Sequence, residues 1–390
     1  MRVSRLCSLL MLALICLPAP AASGPWDMSS LQKPPSVQWL NKEGPVRSLY
    51  FEGEPFRGNP TLVFAYFALP EHHPGRVPAM VLVHGGAGRA FPQWASMWAQ
   101  RGYAAISMDL SGNGPDGKRM RDGGPSETDQ VIFFDSMPTQ DAWVYHAVAD
   151  IVRAISFLEQ QPEVDPNRIG ITGISWGGFL TAIVAGLDPR LKVAIPIYGC
   201  GFIYENSVWK TIFENISPAM RQSWIENFDP SRYLPGAHLP MLWITGTNDF
   251  AYPLNIFQKS YRLAPSPHYL RVMPRMPHGH SEGWAPLEIC IMADQVLKGA
   301  TPLIRIEKEE RIENQARVTF SSALAINAAS LEYTLDGTNW IDRAWDSLPL
   351  VVRGNQVTAL LPAGRPLTYF INLTDARGAV VSTEHRELWH

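Results

Sequence analysis

Between residues 60 and 300 the chain alternates short, unbroken apolar runs with longer stretches in which apolar positions return every three or four residues. The first pattern predicts strands buried on both faces, because a strand with one wet face would alternate apolar and polar residues. It falls at Thr61–Leu69, Met80–Val83, Tyr103–Met108, Arg168–Gly173, Leu191–Ile197, Met241–Thr245 and Tyr269–Met273. The second predicts helices at Trp94–Arg101, Gln140–Glu159, Phe179–Leu187 and Pro286–Lys298. In the longest of these, Trp143, Ala147, Ile151, Ala154, Ile155 and Leu158 share one face. Strands alternating with helices in this way specify an α/β unit, a doubly wound and mostly parallel sheet with crossover helices, expected over residues 22–300 with an N-terminal extension.

Two interruptions are far longer than the usual connection of about 4–6 residues. Residues 110–139 are rich in Gly, Asp, Arg and Pro, and residues 199–239 carry Phe202, Tyr204, Trp209, Phe213, Trp224, Phe228 and Tyr233. Such insertions serve as lids or substrate walls, although helically spaced aromatics also suit an added helical pair that buries most of them. After Gly299 the helical pattern stops. Short alternating runs at Ala316–Phe320, Ser330–Leu335, Gln356–Leu361 and Leu367–Leu373 lie between turn signals such as Asp336-Gly337, predicting a small antiparallel β-sandwich of immunoglobulin or fibronectin type over residues 301–390. Trp340 and Trp345 within it suit a core better than a sugar-stacking surface.

Residues 1–21 read as a secretory signal peptide: Arg2 and Arg5, an apolar run from Leu6 to Leu17, and small residues up to a cut after Ala21. That run is too short for a bilayer span, which needs about 20 apolar residues, so the mature chain is expected to carry no membrane span and to be secreted or periplasmic. Losing the leader moves the formal charge from −3 to −5 and leaves only Cys200 and Cys290 of the 4 cysteines, so at most one disulfide could form and its pairing stays open. A charge this near balance suggests neither a nucleic-acid footprint nor a polybasic membrane patch. With 46% hydrophobic and 18% charged residues the 390-residue chain is an ordinary globular protein, but its 13 tryptophans are many. Trp176, Trp209, Trp224 and Trp284, near the motifs below or in the second insertion, are the subset that suggests a sugar-facing cleft.

Candidate chemistry sits in four short segments. Gly173-Ile174-Ser175-Trp176-Gly177, directly between a strand and a helix, places Ser175 on a strained turn that lifts its hydroxyl off the sheet as a nucleophile. His84-Gly85-Gly86-Ala87-Gly88 ends the Met80 strand, where the Gly86 amide, with that of Trp176, could form an oxyanion hole. Gly246-Thr247-Asn248-Asp249 ends the Met241 strand and offers Asp249 as the acid that orients a histidine, with Asp229 in reserve. His278-Gly279-His280 follows the last strand and supplies two candidates for the general base, the other being left for substrate binding. Trp284, just beyond, is a further substrate-binding candidate, and His84 reads as structural. No metal-ligand spacing such as H-E-x-x-H or C-x-x-C occurs, so no metal is expected.

Together these segments, over about residues 60–298, resemble an α/β-hydrolase of the group that joins acetyl xylan esterases, dienelactone-hydrolase-like enzymes and the catalytic domain of prolyl oligopeptidases. In that group a Val-x-Pro-x-x-x-His-Gly pattern often follows the last strand. Val272 to Gly279 fits it, which favours His278 as base and leaves His280 to substrate binding. The resemblance implies hydrolysis of esters, less often of amides, on a small-molecule or polysaccharide substrate and with no cofactor. The stretch before the Met80 strand is too short for an oligopeptidase propeller, the nucleophile is Ser175 and not Cys, and Trp176 stands where glucuronoyl esterases usually carry Arg. The expectation is a secreted carbohydrate esterase, with a serine peptidase or acylaminoacyl-type amidase as alternative and an inactive carbohydrate-binding protein as the second.

Overall fold

The computed structural model describes residues 24–129 and 138–389. The expected leader, Cys7, Cys16 and the stretch 130–137 of the first insertion lie outside the described residues. Nine strands form one sheet: β1 (Val37–Asn41), β2 (Val46–Glu52), β3 (Leu62–Ala68), β4 (Val77–Val83), β5 (Ala104–Met108), β6 (Val164–Ile174), β7 (Leu191–Ile197), β8 (Met241–Gly246) and β9 (His268–Met273). Their order is β1-β2-β3-β5-β4-β6-β7-β8-β9. From β5 to β9 every neighbouring pair is parallel. The strand read at Thr61–Leu69 instead belongs to an antiparallel meander with β1 and β2 and meets β5 antiparallel. The sequence patterns missed β1 and β2 because most of their residues remain part-exposed and polar residues interrupt the apolar ones.

Around the sheet lie α1 (Met28–Leu31), α2 (Pro92–Gln100), α3 (Trp143–Glu159), α4 (Trp176–Leu187), α5 (Lys210–Asn215), α6 (Pro218–Phe228), α7 (Leu254–Tyr261), α8 (His280–Trp284) and α9 (Leu287–Lys298). The unbroken apolar run of β4 splits by alternation. Ala79, Val81 and Val83 join the cluster with α3 and α4, while Met80 and Leu82 join the one with α2 and α9. Helix α4 starts three residues earlier than the apolar spacing predicts, because Gly177 and Gly178 carry no helical signal of their own.

In the second insertion, Phe213 of α5, Trp224 and Phe228 of α6, and Tyr233 just beyond α6 are buried against the α3–α4 face. Asp229, the reserve acid, is fully buried there and accepts the amides of Phe202 and Ser231 at 2.9 Å each, so it ties the insertion together, while the histidine's carboxylate contact is with Asp249. Cys200 and Cys290 are both free. Among the described residues no helix is long and apolar enough to cross a membrane.

The C-terminal segment forms β10 (Arg305–Ile312), β11 (Gln315–Ser321), β12 (Ile326–Thr334), β13 (Asp346–Leu350), β14 (Val352–Arg353), β15 (Gln356–Leu360), β16 (Leu367–Asp375), β17 (Val380–Ser382) and β18 (Arg386–Leu388). They make two antiparallel sheets, β10-β11-β15-β14 and β13-β12-β16-β17, with β18 also on β16. Val318, Phe320 and Val357 of one sheet and Leu331, Tyr369 and Ile371 of the other enter a single apolar cluster that continues into Ile289 and Met292 of α9. These sheets cover the open edge of β9, where the amide of Val272 donates to Ser382 Oγ at 2.8 Å.

Candidate active site

Strand β6 runs straight into α4, and Ser175 makes the turn with φ 58° and ψ −118°. A non-glycine residue held there stores about 1–3 kcal/mol of backbone strain. The turn is possible only because the neighbouring backbone can pack into it. A Cβ on Gly177 would lie 2.1 Å from the carbonyl oxygen of Val83, and one on Gly173 would lie 2.1 Å from that of Gly177.

His278, on the loop after β9, brings its Nε2 to 2.8 Å from Ser175 Oγ and its Nδ1 to 2.7 Å from Asp249 Oδ2. A carboxylate only accepts, so Nδ1 carries the proton and donates to Asp249, which leaves Nε2 free to accept the Ser175 hydroxyl. Asp249 is buried, and its other oxygen accepts the amides of Ala251 at 2.9 Å and Tyr252 at 2.8 Å. Its loop after β8 is therefore fixed before any substrate arrives. Rings on three sides hold the imidazole: Tyr198 with centroids 4.3 Å apart, Phe250 at 4.8 Å and Tyr252 at 6.5 Å. The Tyr198 hydroxyl donates to the Gly279 carbonyl, and burial raises its pKa.

The glycine turn after β4 stands against the serine, since a Cβ on Gly85 would come within 2.9 Å of Ser175 Cβ and one on Gly86 within 3.0 Å of Trp176 Cδ1. Trp176 is the first residue of α4, where a helix offers amides with no acceptor of its own. Three contacts hold the turn. His84 accepts the Leu110 amide at Nε2 (2.8 Å), so its Nδ1 donates to the Gly85 carbonyl at 2.7 Å. His280 Nε2 accepts the Gly85 amide at 3.0 Å. Glu127 accepts the Ala87 amide at 2.6 Å with one oxygen and the Ser111 hydroxyl at 2.7 Å with the other.

The structure thus brings Ser175 and Trp176, His278, Asp249 and Gly86 together from four separate segments, those that follow β6, β9, β8 and β4. It places His280 differently from the substrate-binding expectation, because the ring nitrogen facing the turn is occupied by Gly85 and the ring packs on Phe91 with centroids 5.0 Å apart. Burial, then His84 and His278, push its pKa down to about 4, so the ring stays neutral. Trp284 packs between Phe91 and Trp94. Of the other tryptophans suggested for a cleft, Trp176 and Trp224 are core residues with 4% and 5% of their surface exposed, which removes them as sugar platforms. Trp176 fills the space between Trp143, Phe179 and Trp209, and Trp224 packs on Phe213. Tyr198 and Glu127 were not legible beforehand, since neither lies in a motif and both act across long chain separations. Among the described residues no group of three His, Cys, Asp or Glu side chains could hold a metal ion.

Residues 40–210 match the acetyl xylan esterase family, somewhat less than half of the chain. Among curated proteins, a stretch of 182 residues is 26% identical to the hydrolyase poxO of Penicillium oxalicum, covering 44% of this chain and 37% of that protein. A stretch of 142 residues is 24% identical to the acetyl esterase Axe7A of Xylanibacter ruminicola, covering 34% of this chain and 31% of that one. The matched stretches thus take in less than half the length of either relative. Among solved structures, the acetyl xylan esterase from Paenibacillus sp. R4 superposes with TM-score 0.52 at 22% identity, covering 65% of this chain and 87% of that one. Acetyl xylan esterase 1 from Thermoanaerobacterium sp. JW/SL YS485 gives 0.53 at 18%, covering 70% and 95%. The sheet order, the strand-to-helix turn at Ser175 and these likenesses agree, and the chain has the α/β-hydrolase fold.

Proposed function

We propose that this chain is a serine esterase that removes acyl groups, chiefly acetyl, from carbohydrates through Ser175, His278 and Asp249. The observation that carries the reading is the pair of contacts at one imidazole, 2.8 Å to Ser175 and 2.7 Å to Asp249. Ser175 Oγ attacks the ester carbonyl while His278 Nε2 takes its proton, and the charge that appears on the carbonyl oxygen is met by the amides of Gly86 and Trp176. As the tetrahedral intermediate collapses, the C–O bond to the alcohol breaks and His278 returns the proton to the departing oxygen. Water, deprotonated by the same nitrogen, then attacks the acyl-enzyme and frees the acid and Ser175. Asp249 stays ionised and steadies the imidazolium in both halves. The match to the acetyl xylan esterase family supports the acetyl and carbohydrate part of the reading, and the leader read in residues 1–21 supports work outside the cytoplasm.

The test is acid release from a panel of acetylated and otherwise esterified plant polysaccharides, run beside peptide amides. Acetate release from acetylated xylan, with no amide cleaved, is the expected result. Faster turnover of the amides would assign the site to a peptidase, and binding of polysaccharide without any hydrolysis would assign the chain to a binding role.

A further inference from the structure

We infer that the C-terminal sheets complete the substrate site: the turn Trp340–Asp342, between β12 and β13, forms with Phe250 the subsite that receives the alcohol half of the ester, a saccharide ring. This rests on the esterase reading above and names where its sugar lies.

The turn is clamped to the loop that carries Asp249. Asn248 Nδ2 lies 3.2, 2.9 and 2.8 Å from the carbonyl oxygens of Trp340, Ile341 and Arg343. An amide has two donor hydrogens, so three carbonyls converging on it mark a site shaped around this one side chain. Behind it, Trp340 is buried with Leu254, Val272 and Phe370, and the Arg343 guanidinium lies 3.7 Å from the Trp340 ring centroid. Arg343 also donates to the Thr338 carbonyl at 3.0 Å. The backbone of the turn is therefore tied down on the side of the catalytic loop.

Its side chains are not all used in that way. Ile341 is 50% exposed and Phe250 48%, although both are large and apolar. They border a cavity of about 380 Å³ whose walls also include His278, Arg275 and Asp342. That volume is in the range of small-molecule sites. Covering two such side chains would release apolar surface from water, which favours an occupant with an apolar face.

The chemistry of the histidine says which half of the ester this is. His278 delivers its proton to the departing alcohol oxygen, so the alcohol lies on the histidine's side, while the carbonyl oxygen points to Gly86 and Trp176. The cavity is walled by His278 and by neither Ser175 nor any residue of the glycine turn, so it adjoins the catalytic centre at the histidine. An apolar pair beside the charged groups of Arg275 and Asp342 matches a sugar ring, with its C–H face and its rim of hydroxyls.

The experiment substitutes Ile341→Ala and, separately, Phe250→Ala in the full chain. It measures kcat/KM on acetylated xylo-oligosaccharide, methyl acetate and methyl butyrate. Both side chains are half-exposed, and a thermal melt checks that each variant folds. The expected result is a ratio of oligosaccharide to methyl acetate efficiency that falls about fivefold or more in each variant, mainly through KM, with the acetate to butyrate ratio unmoved. An oligosaccharide ratio unchanged in the Ile341 variant, or a change confined to acyl preference, would overturn the subsite while leaving the esterase standing. A wild-type protein that turns over none of the three esters would overturn the esterase reading, and the subsite with it.

Discussion

His280 Nε2 accepts the backbone N–H of Gly85 across 3.0 Å. The second histidine of the closing loop therefore braces the glycine turn, while the first reaches the serine. The two should differ sharply when removed. His278→Ala is expected to lower kcat on p-nitrophenyl acetate on the order of 10⁶-fold, as loss of a general base does in a triad. His280→Ala leaves a buried amide without its acceptor and lets the Gly86 donor drift, which should cost about 10–10² in kcat. A larger loss from His280→Ala would exchange their roles.

The same ring gives a pH signature. In the folded protein burial, then His84 and His278, hold the His280 pKa down to about 4, whereas in the unfolded chain the ring takes its proton near 6.5. Between these values the unfolded state binds more protons, so the stability linked to His280 is complete above about pH 6.5 and is lost as pH falls towards 4. His280→Gln can still accept the Gly85 amide but does not titrate. Its melting temperature should decline less steeply than that of the wild type from pH 6.5 to pH 4 in parallel calorimetric scans, and equal slopes would speak against this linkage.

Gly177→Ala tests the strand-to-helix turn. The new methyl group, fixed in place by its own backbone, would meet the Val83 carbonyl oxygen at 2.1 Å, a clash that no side-chain rotation relieves. A loss of at least about 1–3 kcal/mol is expected from such overpacking, read as a lower urea midpoint together with lower activity. A variant as stable as wild type would mean that the turn yields freely.

Asp249→Asn probes the tautomer. An asparagine amide in place of the accepting oxygen offers a donor to His278 Nδ1 and turns the proton towards Nε2, where it blocks deprotonation of Ser175. The kcat should fall about 10⁴-fold with little change in KM. A loss under tenfold would indicate that another group orients the imidazole.

How much of this was legible in the sequence depended on the range of the interactions. The parallel strands and the Ser175 turn are written in adjacent residues, so apolar runs and a glycine-serine spacing suffice to find them. The choice between His278 and His280, two residues apart, lay beyond any local pattern and leaned on resemblance; here the structure separates them by what each nitrogen touches. Glu127, Tyr198 and the Asn248 clamp on Trp340–Arg343 join segments up to 95 residues apart, and no spacing rule announces them. The tryptophans misled in the opposite way. A count of rings says nothing about which faces are wet, and Trp176 and Trp224 turned out to fill the core.

The central claim is that Ser175, activated by His278, is the nucleophile. The most direct measurement compares wild type and Ser175→Ala for hydrolysis of p-nitrophenyl acetate and for covalent labelling by a fluorophosphonate, with a thermal melt to show that both are folded. The account predicts a labelled, active wild type and a folded variant that takes no label and loses on the order of 10⁶ in kcat. A folded Ser175→Ala protein that still labels, or still hydrolyses the ester at a comparable rate, would contradict it.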